Sequence, residues 1–170
     1  MREVRKKRQL VERLFQEQLT REFACFGPAA PRPSEDVPAS GTTGLSLIED
    51  KDLEESLAVS AMVGKASNRL SQQIYALEQR LSVLVGGNKV DEYNNPLGPR
   101  ALCHIFQSTL VELDVDLNVK LLILKLFDKH VMGGLDVLFE EINHLLVQSG
   151  VLPQLKHSLA VRRPATSIPG

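Results

Sequence analysis

Cys103 and His104 stand side by side. A thiol beside an imidazole is a pairing that nucleophilic catalysis uses, the imidazole taking the thiol proton. Here the spacing works against it. The surrounding apolar pattern is helical, and neighbouring helical residues point about 100° apart, so the two side chains do not share a face. Cys103 reads instead as a small core residue. Ser56, Ser60, Ser67, Ser71 and Ser82 all lie within one long helical pattern. None sits in a GxSxG turn, the arrangement that exposes a serine nucleophile.

Metal chemistry needs ligands that converge. His104, His130, His144 and His157 are not at HxxxH or HExxH spacing. Asp128 and His130 are two apart on a helix and diverge. Glu140 and His144 do form an i, i+4 pair, a spacing common by chance, so no metal and no cofactor are expected. Gly86-Gly87-Asn88-Lys89 lacks the GxxxxGK[ST] frame and any preceding strand, and reads as a helix stop rather than a phosphate cradle. Gly133-Gly134 reads as a tight corner between helices. The run Arg5-Lys6-Lys7-Arg8 is the one local basic feature. No aromatic is interleaved with it, and Glu3, Glu12, Glu17 and Glu22 dilute the rest of the helix, so it reads as a solvated helix start.

Composition narrows the classes further. The 170 residues suit one domain with loose ends. The hydrophobic fraction is 43% but aromatics are only 5% and Trp is absent, so the core is mostly aliphatic, which suits packed helices. A net charge of −1 argues against bulk capture of nucleic acid or acidic membrane. Two cysteines, Cys25 and Cys103, form no CxxC motif and no disulfide framework, which points to a reducing cytoplasmic setting. Charge interrupts the residues after the basic N-terminal run, so no signal peptide is expected. The most apolar stretch, Leu121-Leu122-Ile123-Leu124, is bounded by Lys120 and Lys125 and is far too short for a membrane span.

Periodicity defines the elements. Val4, Val11, Phe15, Leu19, Phe23 and Phe26 recur at gaps of seven, four, four, four and three, one face of an amphipathic helix over residues 1–26. Gly27-Pro28 stops it, and residues 27–44 form a Pro/Ala/Gly-rich linker with almost nothing to bury. Residues 45–153 carry the body, and residues 154–170 a flexible tail. Within the body the apolar spacing predicts helices at 50–85, 99–113, 117–132 and 135–149. The first has Gly64 as its soft point. Pro99 suits a first helical position, Asp116 an N-cap, and Gly150 a C-terminal cap. The helix from Leu117 is apolar nearly all round, a pattern normally found at the centre of a bundle. The reading is all-α: a bundle of about four helices with a tethered N-terminal amphipathic helix.

Four stretches carry a resemblance. They are Ser46-Leu47-Ile48-Glu49-Asp50-Lys51-Asp52-Leu53-Glu54-Glu55-Ser56-Leu57-Ala58, Asn95-Pro96-Leu97-Gly98-Pro99-Arg100-Ala101-Leu102-Cys103, Leu126-Phe127-Asp128-Lys129-His130-Val131 and Ser149-Gly150-Val151-Leu152-Pro153. In order and spacing they resemble the bacterial family known as domain of unknown function 1631, over roughly residues 1–155. The resemblance implies a long, largely helical bacterial protein of which this chain is an interior piece. It carries no established catalytic residues to transfer. It further implies, for some relatives, a cyclic-dinucleotide receptor barrel of the PilZ type, but that barrel's RxxxR and DxSxxG signatures are not in this sequence.

The function expected on these grounds is protein–protein interaction or scaffolding within a bacterial cytoplasmic regulatory protein, without catalysis. A regulatory binding module linked to a nucleotide second messenger is the alternative, and an enzyme of unknown type a second one. The apolar stripe of the first helix, Val4, Val11, Phe15, Leu19, Phe23 and Phe26, needs a cover. Pairing with another copy or with a missing segment of the parent is expected over folding back, which makes these six the expected partner-binding residues.

Overall fold

A computed structural model describes residues 2–27 and 50–155, with side chains over 7–27 and 53–155. Its helices are α1 (Arg2–Cys25), α2 (Asp50–Arg69), α3 (Ser71–Leu84), α4 (Pro99–Val111), α5 (Leu117–His130) and α6 (Leu135–Gln148), with a 3-10 turn at Met132–Gly134 before α6. No strand occurs among the described residues. The all-α bundle expected from the sequence is what forms. Most of the expected linker and tail lie outside the described residues.

The long helix expected over 50–85 bends, but not at Gly64. The helical backbone runs straight through Gly64, where an added Cβ would meet nothing. The bend falls at Leu70, whose φ of −106° and ψ of 14° leave the helical region. Leu70 still donates to Ala66 O and accepts from Ile74 N, both at 2.9 Å, so the ladder is bent rather than broken. Packing sets the place. α2 lies against α4 and α5, whereas α3 lies against α6, and the buried Leu70 is where the partners change. A glycine costs a helix about 1 kcal/mol, which tertiary contacts on either side override.

Glycine does decide two helix ends. Gly86 and Gly150 have φ of 78° and 79°, a left-handed conformation that costs glycine nothing. After α3, Gly86 N donates to Val83 O and Gly87 N to Ser82 O; after α6, Gly150 N donates to Val147 O and Val151 N to Leu146 O. Both are Schellman caps, which satisfy carbonyls that a helix end leaves open. Asp116 stands at the N-cap of α5, but its side chain makes no capping hydrogen bond.

The centre of the bundle is α4, not α5. Leu102, Cys103, Ile105, Phe106, Thr109 and Leu110 are all buried, because α4 packs between α1 and α2. α5 packs on α2 and buries fully only Leu124 and Phe127. Its all-round apolar sequence therefore does not make it central. Two of its polar side chains tie it to α2: Lys120 lies 3.6 Å from the buried Glu55, and Asp128 2.8 Å from Lys65. Arg69, at the end of α2, donates to the carbonyls of Met132 at 2.6 Å and Gly133 at 3.3 Å, which fixes the Gly133-Gly134 corner.

α1 shares this core. Phe15 stands edge-on to Phe106 and to Phe127, at ring distances of 6.2 and 6.1 Å, while Phe106 and Phe127 stack at 3.9 Å. Aromatic pairs of this kind add about 0.5–1.5 kcal/mol each beyond the burial itself. Val11, Leu19 and Phe26 also pack on the core. Lys7 Nζ reaches Asp114 O at 3.2 Å, securing the N-terminal half of α1 to the turn before α5.

Candidate interaction surface

The stripe on α1 is the surface the sequence singles out. The structure packs Val11, Phe15, Leu19 and Phe26 on the core as α1 lies against α4, with Phe15 also reaching Phe127 of α5, so the body covers them in part by fold-back. Phe23 remains partly exposed. The side chain of Val4 lies outside the described residues. The reason for fold-back is an aromatic seat: Phe106 of α4 and Phe127 of α5 stack on each other, and Phe15 completes the cluster.

The reactive residue types do not converge. Cys103 is fully buried, its Sγ 3.7 Å from Met132 Sδ, and burial with nearby Asp128 pushes its thiol up to about 12. His104 is exposed on another side of α4. His144 contacts Gln148 through Nε2 at 2.9 Å, one turn on, and makes no hydrogen bond with Glu140. Ser82 accepts from Val90 N at 2.9 Å and donates to Glu78 O at 2.8 Å, a structural role at the end of α3. Among the described residues no three His, Cys, Asp or Glu side chains are grouped to hold a metal ion. His157 lies outside the described residues.

The loop before α4, read from the sequence simply as polar, is a built device. Asn95 is buried and folds over itself: its Oδ1 accepts from Leu97 N at 3.0 Å and its backbone O from Gly98 N at 3.0 Å. A Cβ at Gly98 would stand 3.2 Å from Asn95 O, so glycine allows the close approach. Pro99 then opens α4 at its first position, where the absent N–H costs nothing. This turn places Arg100 over the Tyr93 ring at 4.7 Å. Between α1, the loop and α4 lies a cleft of about 270 Å³, rimmed by Gln18, Glu22, Glu92, Arg100, His104 and Ser108. Ser108 Oγ lies 2.5 Å from Gln18 Oε1 and 2.8 Å from Ile105 O; its single proton can serve one at a time. The rim mixes the carboxylates of Glu22 and Glu92 with the Arg100 guanidinium and favours no one ligand charge.

A second polar cluster joins α3 to α6. The buried Arg80 donates from Nη1 to Asn143 Oδ1 at 2.5 Å and from Nη2 to Leu152 O at 3.5 Å, and Asn143 Nδ2 donates to Gln73 O at 3.1 Å. The Nε of Arg80 is buried with no acceptor, and no carboxylate pairs with it among the described residues. The cluster holds the turn after α6 on α3, with Leu152 in the left-handed region at φ 42°.

Two outward faces stand apart from these. On α5, Val119, Leu122 and Leu126 are 41%, 58% and 50% exposed, at the i, i+3, i+7 spacing of one helix face. Lys125 and Lys129 flank one edge of that stripe, and neither makes an ion pair among the described residues. On α6, Leu138 and Leu145 are 40% and 61% exposed, with Glu141 between them on the same side. Sequence reasoning missed both faces. Apolar residues all round α5 were the available signal, but periodicity alone does not say which side the bundle covers.

Among known proteins, the model for the N-terminal domain of a protein family of unknown function (DUF1631) matches residues 1–150. The chain belongs to the DUF1631 family. The match spans α1 to α6 together with the Asn95–Pro99 turn, so the buried features of this bundle fall within the family's domain. No curated protein and no solved structure matches the chain.

Proposed function

We propose that this chain is a protein-docking module: it works by binding a protein partner through the outer face of α5, and not by catalysis. The observation that carries the reading is the contrast on α5, a helix apolar nearly all round but packed on one side only. Apolar side chains left together on a surface cost solubility unless something covers them. Three exposed aliphatic residues on one face match the anchors by which an amphipathic helix is received. The inert, buried Cys103 and its separation from His104 support binding over chemistry.

The setting that fits is the bacterial cytoplasm, within a larger regulatory or scaffolding protein. Cys25 is exposed and free, as thiols are in a reducing compartment. No helix among the described residues is long and apolar enough to cross a membrane.

A photo-reactive phenylalanine analogue at position 122, compared with one at the exposed Gln72 on α3, tests the reading in the source cells. Position 122 is expected to form cross-links to protein that position 72 does not. Equal yields at the two positions would overturn the docking face.

A further inference from the structure

We propose that the occupant of the α5 face is a second copy of this chain, which lays its α6 along Val119, Leu122 and Leu126. The inference rests on the docking reading above and names its partner. The argument is complementarity. The α5 stripe is aliphatic with a basic edge, Lys125 and Lys129. The outer side of α6 is aliphatic with an acidic residue, Leu138 and Leu145 with Glu141 between them. None of these three charges is satisfied by an ion pair among the described residues, whereas five other pairs are formed, two of them involving α5.

Length agrees as well. Val119 to Leu126 and Leu138 to Leu145 are each a step of seven residues, two helical turns or about 10 Å, so the leucines of one face meet the stripe of the other in register. Within one chain the faces cannot meet, because α6 is committed to α3 and both stripes remain exposed. Between copies each chain offers both halves of the contact. Two copies close the pair twice if their arrangement is twofold, and extend head to tail if it is not. In either case opposite charges select the α5–α6 pairing over α5–α5 or α6–α6, where like charges would face each other.

Sedimentation velocity of the full 170-residue chain at low ionic strength decides it. The parent is expected to associate in the micromolar range. Lys125→Glu with Lys129→Glu, and separately Glu141→Lys, are each expected to weaken association at least tenfold. An equimolar mixture of the two variants is expected to regain it, since each then supplies the charge the other needs. All three side chains are exposed, so the fold should tolerate the changes; if circular dichroism shows otherwise, the neutral changes Lys→Gln and Glu→Gln make the same comparison. A parent that stays monomeric, or reversals without effect, or a mixture without rescue would each overturn the second copy. If position 122 still cross-links to a different protein, docking stands and only the occupant is wrong; if it cross-links to nothing, both fall.

Discussion

At the scale of single residues, the structure separates side chains that look alike in sequence. Cys25 and Cys103 are both unpaired, but one is exposed at the end of α1 and the other is fully buried. With its thiol pushed up to about 12, Cys103 holds its proton through the neutral range. Iodoacetamide at mildly alkaline pH is expected to modify Cys25 in the native chain and to leave Cys103 untouched until the protein is unfolded; mass spectrometry reads both sites. Alkylation of both at equal rates would show that Cys103 is not buried. Glu78 offers a second test. Burial raises its carboxyl above the ordinary value of 4.5, Asp91 and Glu92 push the same way, and the Asn95 amide and Lys89 oppose. Asn95 Nδ2 is buried within electrostatic reach of this carboxyl but outside hydrogen-bond geometry, so it offsets only part of the burial. A raised folded value means the native state holds this proton more tightly than the unfolded chain does. The contribution is therefore full at low pH and lost as pH rises through the folded value. Glu78→Gln is expected to flatten the fall in stability over that rise, measured by urea unfolding at several pH values, and curves parallel to the parent would refute it.

At the scale of elements, the caps and turns were legible and the packing partners were not. Pro99 at the start of α4, Gly86 after α3 and Gly150 after α6 act as their residue types demand, because a missing N–H and a left-handed φ are local requirements. The bend at Leu70 was not legible, since nothing local distinguishes that leucine; it bends because α2 and α3 serve different partners. The same holds for the aromatic cluster. Phe127→Ala is expected to cost about 3–5 kcal/mol, as large core truncations do. Phe15→Ala is expected to cost less than its size suggests once Phe127 is already gone, because the two rings touch. A double-mutant cycle by chemical denaturation measures that coupling, and strictly additive losses would show that α1 does not share the core.

At the scale of the whole molecule, the chain is a set of helices around α4, with α1 completing one side and α6 reached through α3. Fold-back of α1 packs Val11, Phe15, Leu19 and Phe26 of the expected association stripe on the core, while the outer faces of α5 and α6 stay uncovered by any described element. The proposed contact joins aliphatic stripes edged by opposite charges, so its strength should fall as salt is added. A net charge of −1 hides this, because lysines and glutamates on different helices cancel in the sum while remaining separate in space.

The sequence by itself determined the helical class, the approximate helix spans, the capped ends and the family, since each depends on short-range patterns: apolar spacing, glycine and proline stereochemistry, and motif order. Only the tertiary structure decided which helix is central, where the long helix bends, and which apolar face is left uncovered. Those depend on competition among several faces for the same neighbours. Phe15 and Leu122 are both apolar residues on helices with apolar stripes. One is packed because Phe106 and Phe127 form a seat for it, and the other is exposed because no described element lies over it.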